Sequence, residues 1–215
     1  RPWLASYAKT KAEQDADIMP WSPVQVRDFH VRLDRTPSNH RELADLAIMR
    51  LLDLKDDLEN GDESVAKLLL RVETEPEMRN FLGCQLREKA LGRYTITQEE
   101  ELADGKCPDL RFHGVGFDAP VPAELKLADR WTGPEHFERL ENQLSGDYLR
   151  DNRSGRGIFA LVNLSARQWE LRPAERVDFE GLVKGLESHW GSIANKHPHV
   201  EDIAIIGIDL TKRFK

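Results

Sequence analysis

The chain has 215 residues, room for one large domain or two small ones, of which 40% are hydrophobic and 32% charged. No low-complexity tract, no signal peptide and no apolar run near the roughly 18 residues that a bilayer demands is visible, so the composition fits an ordinary globular protein with no membrane partner. The net charge is −7, and the two cysteines, Cys84 and Cys107, exclude a disulfide scaffold and a Cys-rich zinc site and fit a reduced, cytoplasmic setting.

Residues 1–35 read as irregular, with Trp3, Trp21, Pro20 and Pro23 suggesting a segment pinned onto a core. The first residue is Arg1 and not Met, which fits a domain excised from a longer protein, although processing or cloning gives the same start. Thr36-Pro37 predicts a helix start, Thr as N-cap and Pro at the first position. Leu43, Leu46, Ala47, Leu51, Leu54 and Leu58 then recur at helical spacing up to the stop signal Asn60-Gly61. A second helix is expected over Ser64–Val72, and together the two predict a helical region over residues 1–73.

A helix opens at Thr74-Glu-Pro-Glu77 and continues through Phe81, Leu82, Leu86 and Ala90 to Gly92. Arg93–Leu102 reads as a strand that ends in the acidic run Glu99–Glu101, and Ala103-Asp104-Gly105 as a turn. Cys107-Pro-Asp-Leu-Arg111 reads as a short strand carrying one acid. After a loop around Gly114–Asp118 comes Val121-Pro-Ala-Glu-Leu-Lys-Leu127, in which apolar positions alternate with Pro122, Glu124 and Lys126. Period-2 alternation places Glu124 and Lys126 together on one face. Thr132-Gly-Pro-Glu135 is a capping-box signature. It opens a helix with Phe137, Leu140, Leu144 and Tyr148 on one stripe, and this helix carries Gln143. The segment 157–163 is apolar on both faces, as a covered central strand is. Asp178 is placed to cap a helix through Trp190, and Ile203–Ile208 forms a last buried strand. The order predicts an α/β fold, a mixed central sheet flanked by helices, over residues 74–215.

An acid on one strand, Glu-x-Lys on the next, a capped helix with Gln and then a buried strand is an ordering that resembles the PD-(D/E)XK nuclease superfamily, and the likeness spans roughly residues 74–165. Alone, Glu-x-Lys is a common solvated strand face and Pro-Asp a common turn; the combination is more specific. The resemblance implies a restriction-endonuclease-like fold with Asp109, Glu124 and Lys126 as catalytic residues and Gln143 as the glutamine that many members carry on the following helix. It also implies an acid from the preceding helix. Glu77 and Glu88, eleven residues apart and about 20° around a helix, are the two candidates, and Glu77 is preferred although Thr74 offers it a capping-box role. Tyr148, five residues after Gln143, fits core packing better than the Gln-x-x-x-Tyr of RecB-like members.

Hydrolysis of a phosphodiester requires an activated water and neutralised charge on phosphorus, which a hard divalent cation such as Mg²⁺ or Mn²⁺ supplies through oxygen ligands. Asp109, Glu124 and the Leu125 carbonyl are the expected ligands. Lys126 is expected to orient the water or to stabilise developing charge. The implied activity is that of a Mg²⁺-dependent endonuclease acting on DNA, the effector part of a larger bacterial anti-phage defence or restriction-type protein, with a homodimer as a plausible assembly for cutting two strands. The alternative is a nuclease fold that binds nucleic acid or protein without cleaving. Charge bears on both readings: residues 1–80 hold 12 basic and 16 acidic groups and residues 124–176 hold 9 of each. Phosphate contacts must therefore come from local clusters, such as Arg150, Arg153 and Arg156. His197-Pro-His199 and His113 are ordinary polar positions on this reading, Trp131 and Trp190 are packing residues, and neither a P-loop nor a dinucleotide fingerprint is found.

Overall fold

The computed structural model describes residues 22–27, 35–98, 108–149, 153–172 and 175–214. Residues 1–35 and 36–215 are two separate compact units. Of the first, residues 23–27 form a short helical turn. The second opens with α1 (His40–Glu59), α2 (Ala66–Leu69) and α3 (Glu75–Glu88), followed by β1 (Tyr94–Gln98), β2 (Leu110–Gly114) and β3 (Val121–Leu127). Then come α4 (Gly133–Glu138), which runs on as a π-helix (Arg139–Tyr148), β4 (Arg156–Asn163), a small hairpin of β5 (Trp169–Arg172) and β6 (Glu175–Val177), α5 (Phe179–Ile193) and β7 (Asp202–Asp209). Among the described residues no helix is long and apolar enough to cross a membrane.

The main sheet is mixed and has the order β1-β2-β3-β4-β7. β1, β2 and β3 form an antiparallel meander, whereas β3, β4 and β7 are parallel. The crossover from β3 to β4 is made by α4 and the π-helix, and that from β4 to β7 by α5, as parallel neighbours require. The expected α/β class with a mixed, helix-flanked sheet is present.

Two apolar layers sandwich the sheet. On one side the Leu43, Leu46, Leu51, Leu54 and Leu58 stripe of α1, with Met78, Leu82 and Leu86 of α3, packs on Val121, Ala123, Leu125 and Leu127. On the other, Leu140, Trp169, Phe179, Leu182 and Leu186 pack on Phe159 and Leu161. Each fully buried leucine contributes about 1.5–3 kcal/mol. Because α1 lies on the same sheet as α3, the expected boundary between 73 and 74 does not appear, and the compact unit begins at Thr36.

Several local expectations shift. The α1 N-cap is Asn39, whose side chain accepts from the Glu42 N–H, rather than Thr36. α2 is four residues long where nine are expected. All of β3 is buried, Glu124 and Lys126 included, because helices cover both faces and leave neither open to water. The β5–β6 hairpin was not expected. Glu99–Glu101, Cys107 and Arg150 lie outside the described residues.

The outer side of β7 is guarded. Lys55 of α1 donates to the Gly207 carbonyl, and buried Glu59 accepts the Asp209 N–H at 2.8 Å while Lys212 pairs with its other oxygen at 2.9 Å. These side chains occupy backbone groups that β4 does not use.

Candidate active site

The register explains how the carboxylates meet. β2 pairs with β3 antiparallel only as far as Leu110 opposite Ala123. Asp109 therefore sits just before β2, beside the part of β3 that follows Ala123. There its Oδ2 accepts the Leu125 N–H at 2.9 Å, in place of a strand partner, and its Oδ1 accepts from Arg79 of α3 at 3.1 Å. A β residue directs its N–H and C=O to the same side, so the Leu125 carbonyl also faces the gap beside Asp109.

Glu124 and Lys126 point to the opposite side of the sheet from Leu125, the side of their β4 register partners Phe159 and Leu161. Glu124 is 1% exposed and Lys126 5%. The Lys126 Nζ lies 2.6 Å from Glu124 Oε1 and 3.3 Å from Glu75 Oε2. The second Glu124 oxygen, Oε2, is buried and has no hydrogen-bond partner. Burial pushes the Glu124 carboxyl up to about 8, and the Asp109 charge adds to the rise. Burial works against the Lys126 ammonium, but Glu124, Glu75 and Asp109 outweigh it, and its pKa is raised. If all were ionised, Asp109, Glu124 and Glu75 would exceed Lys126 and Arg79 by one negative charge.

Glu75 is the acid that α3 contributes. It stands at the first position of the helix, and its Oε1 accepts from the Leu127 N–H at 3.3 Å and the Trp131 indole N–H at 2.8 Å. Neither Glu77 nor Glu88 is brought to the cluster. Glu77 closes the capping box with Thr74, its Oε2 accepting the Thr74 and Glu73 N–H groups at 3.2 Å each, which holds its carboxyl below the usual range. Glu88 is exposed beside Cys84 and Gln85. The Thr74-x-x-Glu77 spacing carried this signal: a capping box binds the acid at the third position and leaves Glu75 available. Replacing Glu75 by Ala removes one of the two carboxylates on Lys126 and leaves the Leu127 N–H and the Trp131 indole N–H without their acceptor, so a loss of about 2 kcal/mol in urea unfolding is expected. Glu77→Ala is expected to cost less, about 0.5–1 kcal/mol in the same unfolding, because the N–H groups it releases are exposed to water.

Gln143 lies on the π-helix that packs over β3 and β4, the face into which Glu124 and Lys126 project. An α-helix was expected there; π segments commonly accompany functional sites. Trp131 is more than packing, since Arg139 lies over its ring at 4.5 Å and Lys126 at 5.8 Å. His136, fully buried, is a feature that sequence reasoning missed. It holds its Nε2 3.2 Å from the Ala128 carbonyl, which fixes that nitrogen as the donor, and burial lowers its pKa to about 4. His113 pairs with Thr97 at 3.0 Å, and His197 packs beside Trp190 with Glu141 4.0 Å away. Arg153 and Arg156 pair with Asp118 and Asp45 near the start of β4, the opposite end of the parallel strands from Lys126, so this pair does not supply the expected phosphate cluster at the site.

Among the described residues no three His, Cys, Asp or Glu side chains are gathered as a metal-binding set. What a cation would meet is smaller: the unpartnered Glu124 Oε2, the Asp109 carboxylate and the Leu125 carbonyl. That all-oxygen set suits a hard cation that keeps most of its water or substrate oxygens. No family model, curated protein or solved structure matches this chain.

Proposed function

We propose that the unit of residues 36–215 is a metal-dependent nuclease module of the PD-(D/E)XK kind, hydrolysing phosphodiester bonds of DNA. The observation that carries this reading is the buried Glu124–Lys126 pair with one carboxylate oxygen left without a partner, next to Asp109. A fold has no need of such a group: an unsatisfied buried carboxylate costs several kcal/mol, and a hydrophobic pair would serve packing better. The order β1-β2-β3, crossover, β4 is also the arrangement that the resemblance implies.

Asp109, Glu124 and the Leu125 carbonyl would hold Mg²⁺ or Mn²⁺, which when bound acts as a Lewis acid and lowers the pKa of water. The chain's own groups do the rest. Arg79 and the Leu125 N–H hold the Asp109 carboxylate in one orientation. Lys126 is kept charged by its acidic neighbours Glu124, Glu75 and Asp109, so it would work as an ammonium and not as a base, positioning water or stabilising charge that develops on a phosphate oxygen. Glu75 positions Lys126 and ties it to Trp131. Gln143 would contact substrate from the covering helix.

A second reading has its own support. Lys126 already pairs with two carboxylates, as a self-neutralised cluster in a binding module would. Plasmid nicking by wild type, Asp109→Ala and Lys126→Ala at millimolar Mg²⁺ or Mn²⁺ separates the two. Cleavage by wild type alone is expected; equal cleavage by all three removes Asp109 and Lys126 from the chemistry, and equal binding without cleavage in all three favours the binding module. Mg²⁺ at tenfold over its Kd should also stabilise the wild type by about 1.4 kcal/mol, a rise in Tm of roughly 3–6 °C that Glu124→Ala removes.

A further inference from the structure

A groove of about 890 Å³ lies against the start of α4 and the β5 strand, on the same face of the sheet as Glu124 and Lys126. Its walls are Thr132, Gly133 and Pro134 on one side and Arg167, Gln168 and Arg176 on the other. The two walls approach closely: a Cβ at Gly133 would stand 2.4 Å from the Glu170 carbonyl oxygen.

The groove and the carboxylate cluster share one turn of chain. Residues Ala128–Arg130 form a 3-10 turn directly after Lys126 and Leu127. Trp131, which closes that turn, is bound to Glu75 on the cluster side. On the groove side, Arg167 donates to the Asp129 carbonyl and its guanidinium lies 5.9 Å from the Trp169 ring centroid, while the Trp169 indole N–H donates to the Ala128 carbonyl at 3.1 Å. The Asp129 carboxylate accepts from the Leu164 N–H at 2.7 Å, which fixes the end of β4 to the same turn. A chain leaving the cluster across Trp131 enters the groove within one residue.

Among the groove's lining residues Arg167 and Arg176 outnumber the one acid, Glu170, in a chain whose net charge is −7. Arg167 and Arg176 are exposed, and a guanidinium has five donors, so Arg167 retains most of its own after the bond to Asp129. Guanidinium groups match phosphate geometry, and a local surplus of positive charge attracts phosphate even on an acidic protein.

We propose that this groove holds the sugar–phosphate backbone of the nucleic-acid strand on one side of the scissile phosphate, with Arg167 and Arg176 as its phosphate-binding residues. The proposal rests on the nuclease reading of the adjoining cluster.

The test measures binding of labelled 20-mers (single-stranded DNA, duplex DNA and RNA) against salt concentration, in the Glu124→Gln background so that the strand stays intact. Cleavage is followed in parallel in the otherwise wild-type chain. Arg167→Ala/Arg176→Ala should lower the slope of log K against log salt by about 1.4–1.8, two phosphates at 0.7–0.9 each, and reduce cleavage at least tenfold. Arg167→Lys/Arg176→Lys should restore the slope, which a structural role of Arg167 on Asp129 would not do. The strand type that binds tightest identifies the source of the phosphates. An unchanged slope in a double Ala variant, while the wild-type chain cleaves, overturns the groove and leaves the nuclease reading standing. A reduced slope without cleavage by any chain supports the groove and overturns the nuclease reading. A parent protein that neither binds nor cuts overturns both.

Discussion

Glu124→Gln should make the protein more stable at pH 7.5 than the wild type while removing cleavage. The folded wild type holds the Glu124 proton up to about 8, whereas the unfolded chain releases it at an ordinary carboxylate pKa. Between those two values the native state binds the extra proton, so stability is fully present below the unfolded pKa and falls as pH rises toward 8. At about 1.4 kcal/mol per unit, the wild type should lose about 3 kcal/mol relative to Glu124→Gln between pH 5 and pH 7.5. Urea unfolding of both chains at these two values, taken as a difference, cancels the other titrating groups. A difference that does not move with pH removes the claim that the carboxyl is held in unfavourable surroundings, and with it the argument that the site is built for a cation.

Lys126→Met should be the most damaging single change. Where Glu124 is ionised in the folded wild type, at about pH 8 and above, this change strips the buried carboxylate of its nearest cation, and breaking one side of such a pair costs about 3–5 kcal/mol. The penalty should be smaller at pH 5, where Glu124 takes up a proton in both chains, and larger at pH 8. Adding Glu124→Gln to Lys126→Met should recover part of the loss, a coupling that a double-mutant cycle reads directly. Cleavage should fall by 10²–10³-fold, the usual effect of removing one group that stabilises developing charge. Lys126→Arg is not expected to rescue it, because the larger planar guanidinium does not fit the buried position that a compact ammonium holds between Glu124 and Glu75. Cleavage at the wild-type rate by Lys126→Met would remove Lys126 from the chemistry.

The elements that could be read from the residues are those whose pattern is local. The leucine repeat of α1, the two Thr-x-x-Glu capping boxes and the apolar run of β4 each carry their structure within one turn or one strand. Glu124 and Lys126 could be placed on one face for the same reason. What could not be read is what other elements bring to that face. Alternation alone describes a half-solvated strand, and only the arrival of α4, the π-helix and α5 converts the Glu-x-Lys face into a buried one. Which acid of α3 reaches Lys126 is not legible locally: the cap ties up Glu77, and Glu75 meets Lys126, the Leu127 N–H and Trp131 only because the end of β3 comes to lie beside the helix start. The β5–β6 hairpin is too short for its alternation of Trp169 and Leu171 to stand out, although it forms one wall of the groove.

The way α1 seals β7 also limits how two copies could associate. With Lys55 and Glu59 already bonded to the Gly207 carbonyl and the Asp209 N–H, a second molecule could not use those two groups to extend the sheet past the end of β7. A paired assembly would have to avoid that end of the margin, which leaves the β1 edge or side-chain contacts to join it.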